Sequence, residues 1–150
     1  MHAGITAATA FLVAVLWFDL MFDVQVLRHR REAEVPSEVV DSIAAYYRRV
    51  TTDAAPMSRL ISLDMATLLG LLVWQAARGG TAGWVSVASF VLAASAIGLA
   101  LGRVVPAAVR LGAGGDPHEF RSALARSILR DHLVFLAVMV ALLVLQLAAG

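Results

Sequence analysis

The sequence predicts an all-α protein, an integral membrane four-helix bundle with cytoplasmic amphipathic helix segments. Of its 150 residues, 60% are hydrophobic and 15% charged, and the mean hydropathy is +0.80. Soluble domains average roughly 45–50% apolar residues, so this chain is too apolar for an ordinary globular fold. Four apolar runs approach the length of about 20 residues that a helix needs to cross a hydrocarbon core of about 30 Å. Arginines gather in two of the connections between these runs and are scarce elsewhere. The length suits one domain over 1–150.

Composition also narrows the chemistry. A formal net charge of +1 and the lack of a basic block speak against nucleic acid as a partner. With no cysteine there is no disulfide, no thiolate nucleophile and no thiolate metal site. Residues 1–27 lack the basic start of a secretion signal, and their apolar run continues through Asp19 to Leu27, so they read as a retained helix.

The first span covers 3–27. Near its end stands Trp17-Phe18-Asp19-Leu20-Met21-Phe22-Asp23, with two acids four residues apart and therefore on one helix face. Arg28-His29-Arg30-Arg31 follows with the positive charge that suits a helix C-terminus. Pro36-Ser37 then opens a helix over about 38–52, with Ser37 as N-cap. Val39, Ile43, Tyr46 and Val50 recur at helical spacing, while Glu38, Asp41, Arg48 and Arg49 are polar. That pattern predicts a helix lying in the membrane interface, with Tyr46 and Tyr47 at headgroup level. Pro56 ends it.

The second and third spans, 60–77 and 84–105, are joined by Arg78-Gly79-Gly80-Thr81-Ala82-Gly83, a tight turn that makes them antiparallel neighbours. Trp74 and Trp84 flank the turn as an aromatic belt would. Ala94, Gly98 and Gly102, at spacing four, predict the close approach of another helix, within the bundle or in a homodimer. Pro106 closes or kinks the third span, and Gly112-Ala113-Gly114-Gly115 reads as a flexible break. Asp116-Pro117-His118-Glu119 then has the form of a helix start, with an N-cap acid, proline at N1 and an acid at N3. From there one helix can run through Arg130-Asp131-His132 into the last span, 133–149.

Arginine sets the expected orientation in the lipid bilayer. Arg28, Arg30, Arg31, Arg48, Arg49 and Arg59 lie in the first long connection, and Arg110, Arg121, Arg126 and Arg130 in the second, against Arg78 alone on the other side. The positive-inside rule puts both long connections in the cytoplasm and both termini outside.

That orientation brings the unusual residues to one level. Asp19, Asp23, Asp64, Arg103, Asp131 and His132 should all lie within roughly 10 Å of the inner boundary, and the outer half carries nothing comparable. Arg103 is expected to pair with Asp19, Asp23 or Asp64, while Asp131 and His132 read as a solvated helix entrance and His29 as a surface residue. One arginine cannot neutralise three intramembrane aspartates. The surplus needs a cation, a proton or water, which favours a polar pocket of Asp19, Asp23, Asp64, Arg103 and Asp131 that binds or transports a small ligand or ion. If the protein is an enzyme, His132 or an aspartate is the proton acceptor. A structural subunit whose charges pin the helices is the third reading. Asp19, Asp23, Asp64 and His132 have the chemistry of hard-metal ligands, and His29 with His132 is the only pair for a bis-histidine haem, but the sequence fixes no cofactor. It contains no HExxH, no GxSxG and no Gly-rich loop before a helix. Active transport through a chain this short and without internal repeats would require a dimer.

Several short motifs resemble the small four-helix membrane proteins of the anthrone-oxygenase-like family. They are Tyr47-Arg48-Arg49 and Ala55-Pro56-Met57 before the second span, Val105-Pro106 with Arg110-Leu111 after the third, and His132 at the start of the fourth. The family's tryptophan shortly before that histidine and arginine shortly after it are absent, and Asp23-Val24-Gln25 stands where a proline is usual. The resemblance implies the four-helix fold and a cofactor-independent oxidation of a lipophilic aromatic substrate, with His132 as the catalytic candidate.

Overall fold

The computed structural model describes residues 2–79 and 81–150; Gly80, in the predicted tight turn, lies outside them. Helices account for every regular element among the described residues. They are α1 (His2–Asp23), continued by a 3₁₀ segment over Val24–His29, α2 (Ser37–Arg48), α3 (Ala55–Arg78), α4 (Gly83–Leu99), α5 (Val105–Ala113) and α6 (His118–Ala149). Four helical stretches of 28, 23, 31 and 32 residues are long and apolar enough to cross a membrane. They outrun the predicted spans because each continues as helix into its polar flank.

The four long helices form a ring in which α1 packs on α3 and α6, and α4 packs on the same two. Its core is apolar: Ile5, Leu12, Leu16 and Leu20 of α1 join Leu68 and Leu72 of α3, Ala93 and Ala96 of α4, and Phe135, Met139 and Leu142 of α6. The outside is equally apolar, with Trp17, Phe18, Leu63, Val73, Trp84, Val91, Val144 and Leu147 all exposed. In water such a surface would drive association; against hydrocarbon it costs nothing.

Both termini meet at one end of the ring, where Gly150 lies against His2. The helices there are tied by polar side chains that carry no charge. Gln146 Nε2 donates to Ser89 Oγ at 2.7 Å, and the buried Gln75 and Gln146 amides face each other at 3.3–3.4 Å. These neutral amides escape a search for charges, yet each satisfies a group that apolar surroundings would otherwise leave unpaired.

The opposite end holds α2, α5 and the first turns of α6, and here several expectations change. The apolar stripe of α2 faces protein. Val40, Ile43, Ala44 and Tyr47 are buried, and the helix packs against α5 and α6, whose Ala108, Leu111, Ala125 and Ile128 belong to the same core. An amphipathic stripe is satisfied equally by lipid or by protein, and protein was within reach. Gly112 is helical and permits this packing, because a Cβ there would stand 2.8 Å from Arg48 N. Gly112→Ala is therefore expected to force α2 and α5 apart and to cost about 1–3 kcal/mol by overpacking, read as thermal unfolding in detergent; an unchanged melting temperature would refute the close approach. The helix stop falls instead at Gly114, whose φ of 72° is left-handed and whose N–H donates to Leu111 O.

Neither predicted cap forms. Pro36 and Pro117 occupy the N-cap positions of α2 and α6. Asp116 receives Arg110 Nε and Nη2 at 2.7 and 2.8 Å, and these hydrogen bonds hold its carboxyl below the usual carboxylate range. Pro106 neither closes nor breaks the helix, because a wide π-type turn over Ala100–Val104 precedes it, with Val105 N–H bonded to Ala100 O. Such a turn relieves the clash that a proline ring makes with the carbonyl four residues back. Within the bundle, Gly98 and Gly102 do not face a neighbouring helix: a Cβ at either would meet nothing of this chain within 4 Å. The inward face of α4 is the one carrying Ser89, Ala93, Ala96 and Ala100, roughly half a turn away.

Candidate functional site

Five polar side chains gather where α1, α2 and α6 meet. The spacing of Asp19 and Asp23 does place both carboxylates on the inward side of α1, but in unlike surroundings. Asp23 is fully buried and Asp19 partly so. Tyr47 Oη donates to Asp23 Oδ1 and Tyr46 Oη to Asp19 Oδ1, each at 2.7 Å. Phe22 stacks on the Tyr46 ring at 4.0 Å and 11°, which fixes that phenol beside Asp19. His132, where the apolar part of α6 begins, is buried between the two acids. Its Nδ1 lies 2.6 Å from Asp23 Oδ2 and its Nε2 3.9 Å from Asp19 Oδ2.

The protons follow from the acceptors. Both oxygens of an ionised Asp23 are engaged, one by Tyr47 O–H and the other by His132 Nδ1–H. The imidazole is thereby set in the tautomer that leaves Nε2 free to accept a proton. Burial pushes both phenols up, and the neighbouring carboxylates push them further, so Tyr46 and Tyr47 remain neutral donors. Two hydroxyls and one histidine thus partner the carboxylates for which sequence reasoning offered one arginine and otherwise a cation, a proton or water.

A cavity of about 480 Å³ opens beside this cluster. Its walls come from Leu12, Leu16 and Phe18 of α1, Met57, Ile61 and Met65 of α3, Ala100, Leu101, Val104 and Val105 at the junction of α4 and α5, and Phe135 of α6. Asp19, Tyr46, Tyr47 and His132 form its polar patch, whereas Asp23 stands behind them and does not line it. The volume falls within the roughly 300–1,000 Å³ of small-molecule sites, which are likewise mostly apolar with a few convergent polar groups.

The remaining predicted residues stand apart. Arg103 reaches none of Asp19, Asp23 and Asp64; its side chain is 55% exposed and donates from Nε to Asp131 Oδ2 at 3.0 Å. Asp131 is buried rather than solvated, and Arg130 Nε approaches its other oxygen at 3.4 Å. One residue along a helix turns the side chain by about 100°, which explains why Asp131 points to the arginines and His132 to the acids of α1. Asp64 is half-buried on α3, with Oδ2 lacking a hydrogen-bond partner, and it neither lines the cavity nor joins the cluster. Among the described residues no group of three or more His, Asp or Glu converges as metal ligands do. His29 bonds Glu32 at 2.8 Å, while His132 commits Nδ1 to Asp23, so the two histidines form no axial pair. Tyr46 and Tyr47 are the site residues that sequence reasoning missed. Their signal was present in the surplus of carboxylates, which called for donors that carry no charge.

Compared with protein-family models, with curated proteins and with solved structures, the chain matches none. Its functional reading therefore rests on the geometry of this site.

Proposed function

We propose that the protein sits in a bilayer and binds a lipophilic small molecule bearing a hydroxyl or carbonyl group, with His132 exchanging a proton with that molecule. The observation that carries this reading is the order Asp23, His132, cavity: a hidden carboxylate orients the imidazole through Nδ1, and the residue itself lines a mostly apolar chamber beside Asp19. General bases are built in this way, with the acid fixing the tautomer and stabilising the imidazolium that forms. Asp19, near Nε2, would stabilise the same imidazolium from the cavity side. Ion passage is less well supported, because both oxygens of Asp23 are occupied by protein partners and most of the chamber wall is apolar. A purely structural cluster would need no chamber.

The resemblance to anthrone-oxygenase-like proteins suggests a substrate class. A polycyclic aromatic ketone would fill such a chamber, and loss of a proton to His132 Nε2 would leave its enolate, which dioxygen can oxidise without a cofactor. Anthrone is a direct probe, since its enolate absorbs at longer wavelength than the ketone. Detergent-purified protein should shift the spectrum of added anthrone. Leu101→Trp, at an exposed cavity wall, should weaken that binding by about tenfold, and His132→Gln should leave binding but remove the shift. An unshifted spectrum with the parent protein, or an equal shift with His132→Gln, would overturn the reading.

For orientation we favour cytoplasmic long connections. The arginine-rich segments lie together at the end opposite the termini, and the positive-inside rule assigns that end to the cytoplasm. A reporter fused after Gly150 should be active only if its fold requires the extracytoplasmic side. Activity of a reporter restricted to the cytoplasm would reverse the assignment.

A further inference from the structure

Arg103 and Arg130 share a single acid in an unusual way. Both use Nε, on the two oxygens of Asp131, and among the described residues neither donates a terminal Nη to a protein acceptor. Their side chains are 55% and 66% exposed. Two guanidiniums against one carboxylate leave one positive charge, held on a buried anchor and presented outward as two unfilled forks.

The depth of this pair is informative. Counting about 20 residues, or about 30 Å, from the terminal end of the ring reaches Arg103 from Gly83 and Arg130 from Ala149. The same count along α3 from Arg78 reaches Arg59. The forks therefore stand where hydrocarbon gives way to headgroup phosphates. Just beyond Arg130 toward the bilayer, Leu133 and Val134 are exposed and apolar on its helix face, a strip on which an acyl chain can lie.

We propose that Arg103 and Arg130 form a binding site for the phosphate of an anionic phospholipid. Guanidinium forks match phosphate oxygens in bidentate geometry, and basic sites between membrane helices recognise anionic headgroups. The single surplus charge fits a lipid carrying one net negative charge. A zwitterionic headgroup would bring its own ammonium group toward the arginines. Nothing in this site depends on the cavity or on His132.

Native mass spectrometry of the detergent-solubilised protein with phosphatidylglycerol, phosphatidylcholine or inorganic phosphate tests the proposal. One phosphatidylglycerol per chain should be retained, and Arg103→Gln with Arg130→Gln should reduce that retention by at least about tenfold. Arg78→Gln, at the other end of the ring, should not. Because the double variant leaves Asp131 buried without a partner, Arg103→Gln with Asp131→Asn provides a neutral second test and should also lose retention, with helicity and melting temperature intact. The proposal is overturned if either variant retains phosphatidylglycerol like the parent, or if phosphatidylcholine is held equally well. It is also overturned if millimolar inorganic phosphate displaces the lipid, which would mark a site for a soluble phosphate.

Discussion

Replacing Asp23 should damage this protein more than any other single substitution, and the two obvious replacements should damage it differently. Asp23→Ala removes the acceptor shared by Tyr47 and His132. Both partners are buried, so neither can turn to water, and each donor left unsatisfied costs about 1–3 kcal/mol. The bundle should melt at a markedly lower temperature in detergent. Asp23→Asn keeps the shape and one acceptor oxygen but offers an amide N–H in place of the other. If that N–H faces His132 Nδ1, the ring proton moves to Nε2, which can then no longer accept one. Proton transfer from anthrone should fall by about 10³–10⁴-fold, the cost of holding a catalytic histidine in the wrong tautomer, while the fold survives. Full enolate formation with Asp23→Asn would show that this carboxylate does not orient the base.

What the sequence could reveal about these residues was their depth. Hydropathy sustained over long runs marks four helices because a bilayer rewards length in a way that no loop can imitate. The acids of α1 and the Arg130-Asp131-His132 run could be placed at one level by counting residues. Azimuth was another matter. A helix that is apolar all round has no amphipathic stripe to say which way a given residue points. Arg103 sits at the depth of Asp19 yet faces outward to Asp131, and Asp64 shares that depth but misses the cluster. The same blindness left open whether Gly98 and Gly102 meet a helix of this bundle or of a second copy, and within the bundle they turn outward. Only the interval of four between Asp19 and Asp23 carried rotational information, and that inference held. α2 failed for a different reason. Its stripe was read correctly as a stripe, but periodicity cannot distinguish a lipid surface from α5 and α6. The level expected for Tyr46 and Tyr47 therefore said nothing of their hydroxyls, which complete the site.

Asp19 and Asp23 look equivalent in sequence, so their expected divergence tests whether the cluster is a working site or a brace. Asp19 lines the cavity, holds one protein hydrogen bond from Tyr46 and lies 3.9 Å from His132 Nε2. In Asp19→Asn the amide oxygen can still accept the Tyr46 hydroxyl. Stability should therefore change by no more than about 1 kcal/mol, the net worth of an ordinary hydrogen bond. What disappears is the negative charge beside the ring nitrogen that gains the proton. At such a distance in a partly dry site that attraction is large, and losing one electrostatic stabiliser of a developing charge typically slows a reaction by about a hundredfold or more. Anthrone should still bind to Asp19→Asn, while its enolate forms about a hundredfold more slowly. A brace predicts the reverse, with Asp19→Asn melting as early as Asp23→Ala. Thermal unfolding and the enolate rate, measured on the same preparation, separate the two. If Asp19→Asn is strongly destabilised, or if it is stable with an undiminished rate, Asp19 has no role in proton transfer. His132 would then be left with Asp23 as its only functional partner.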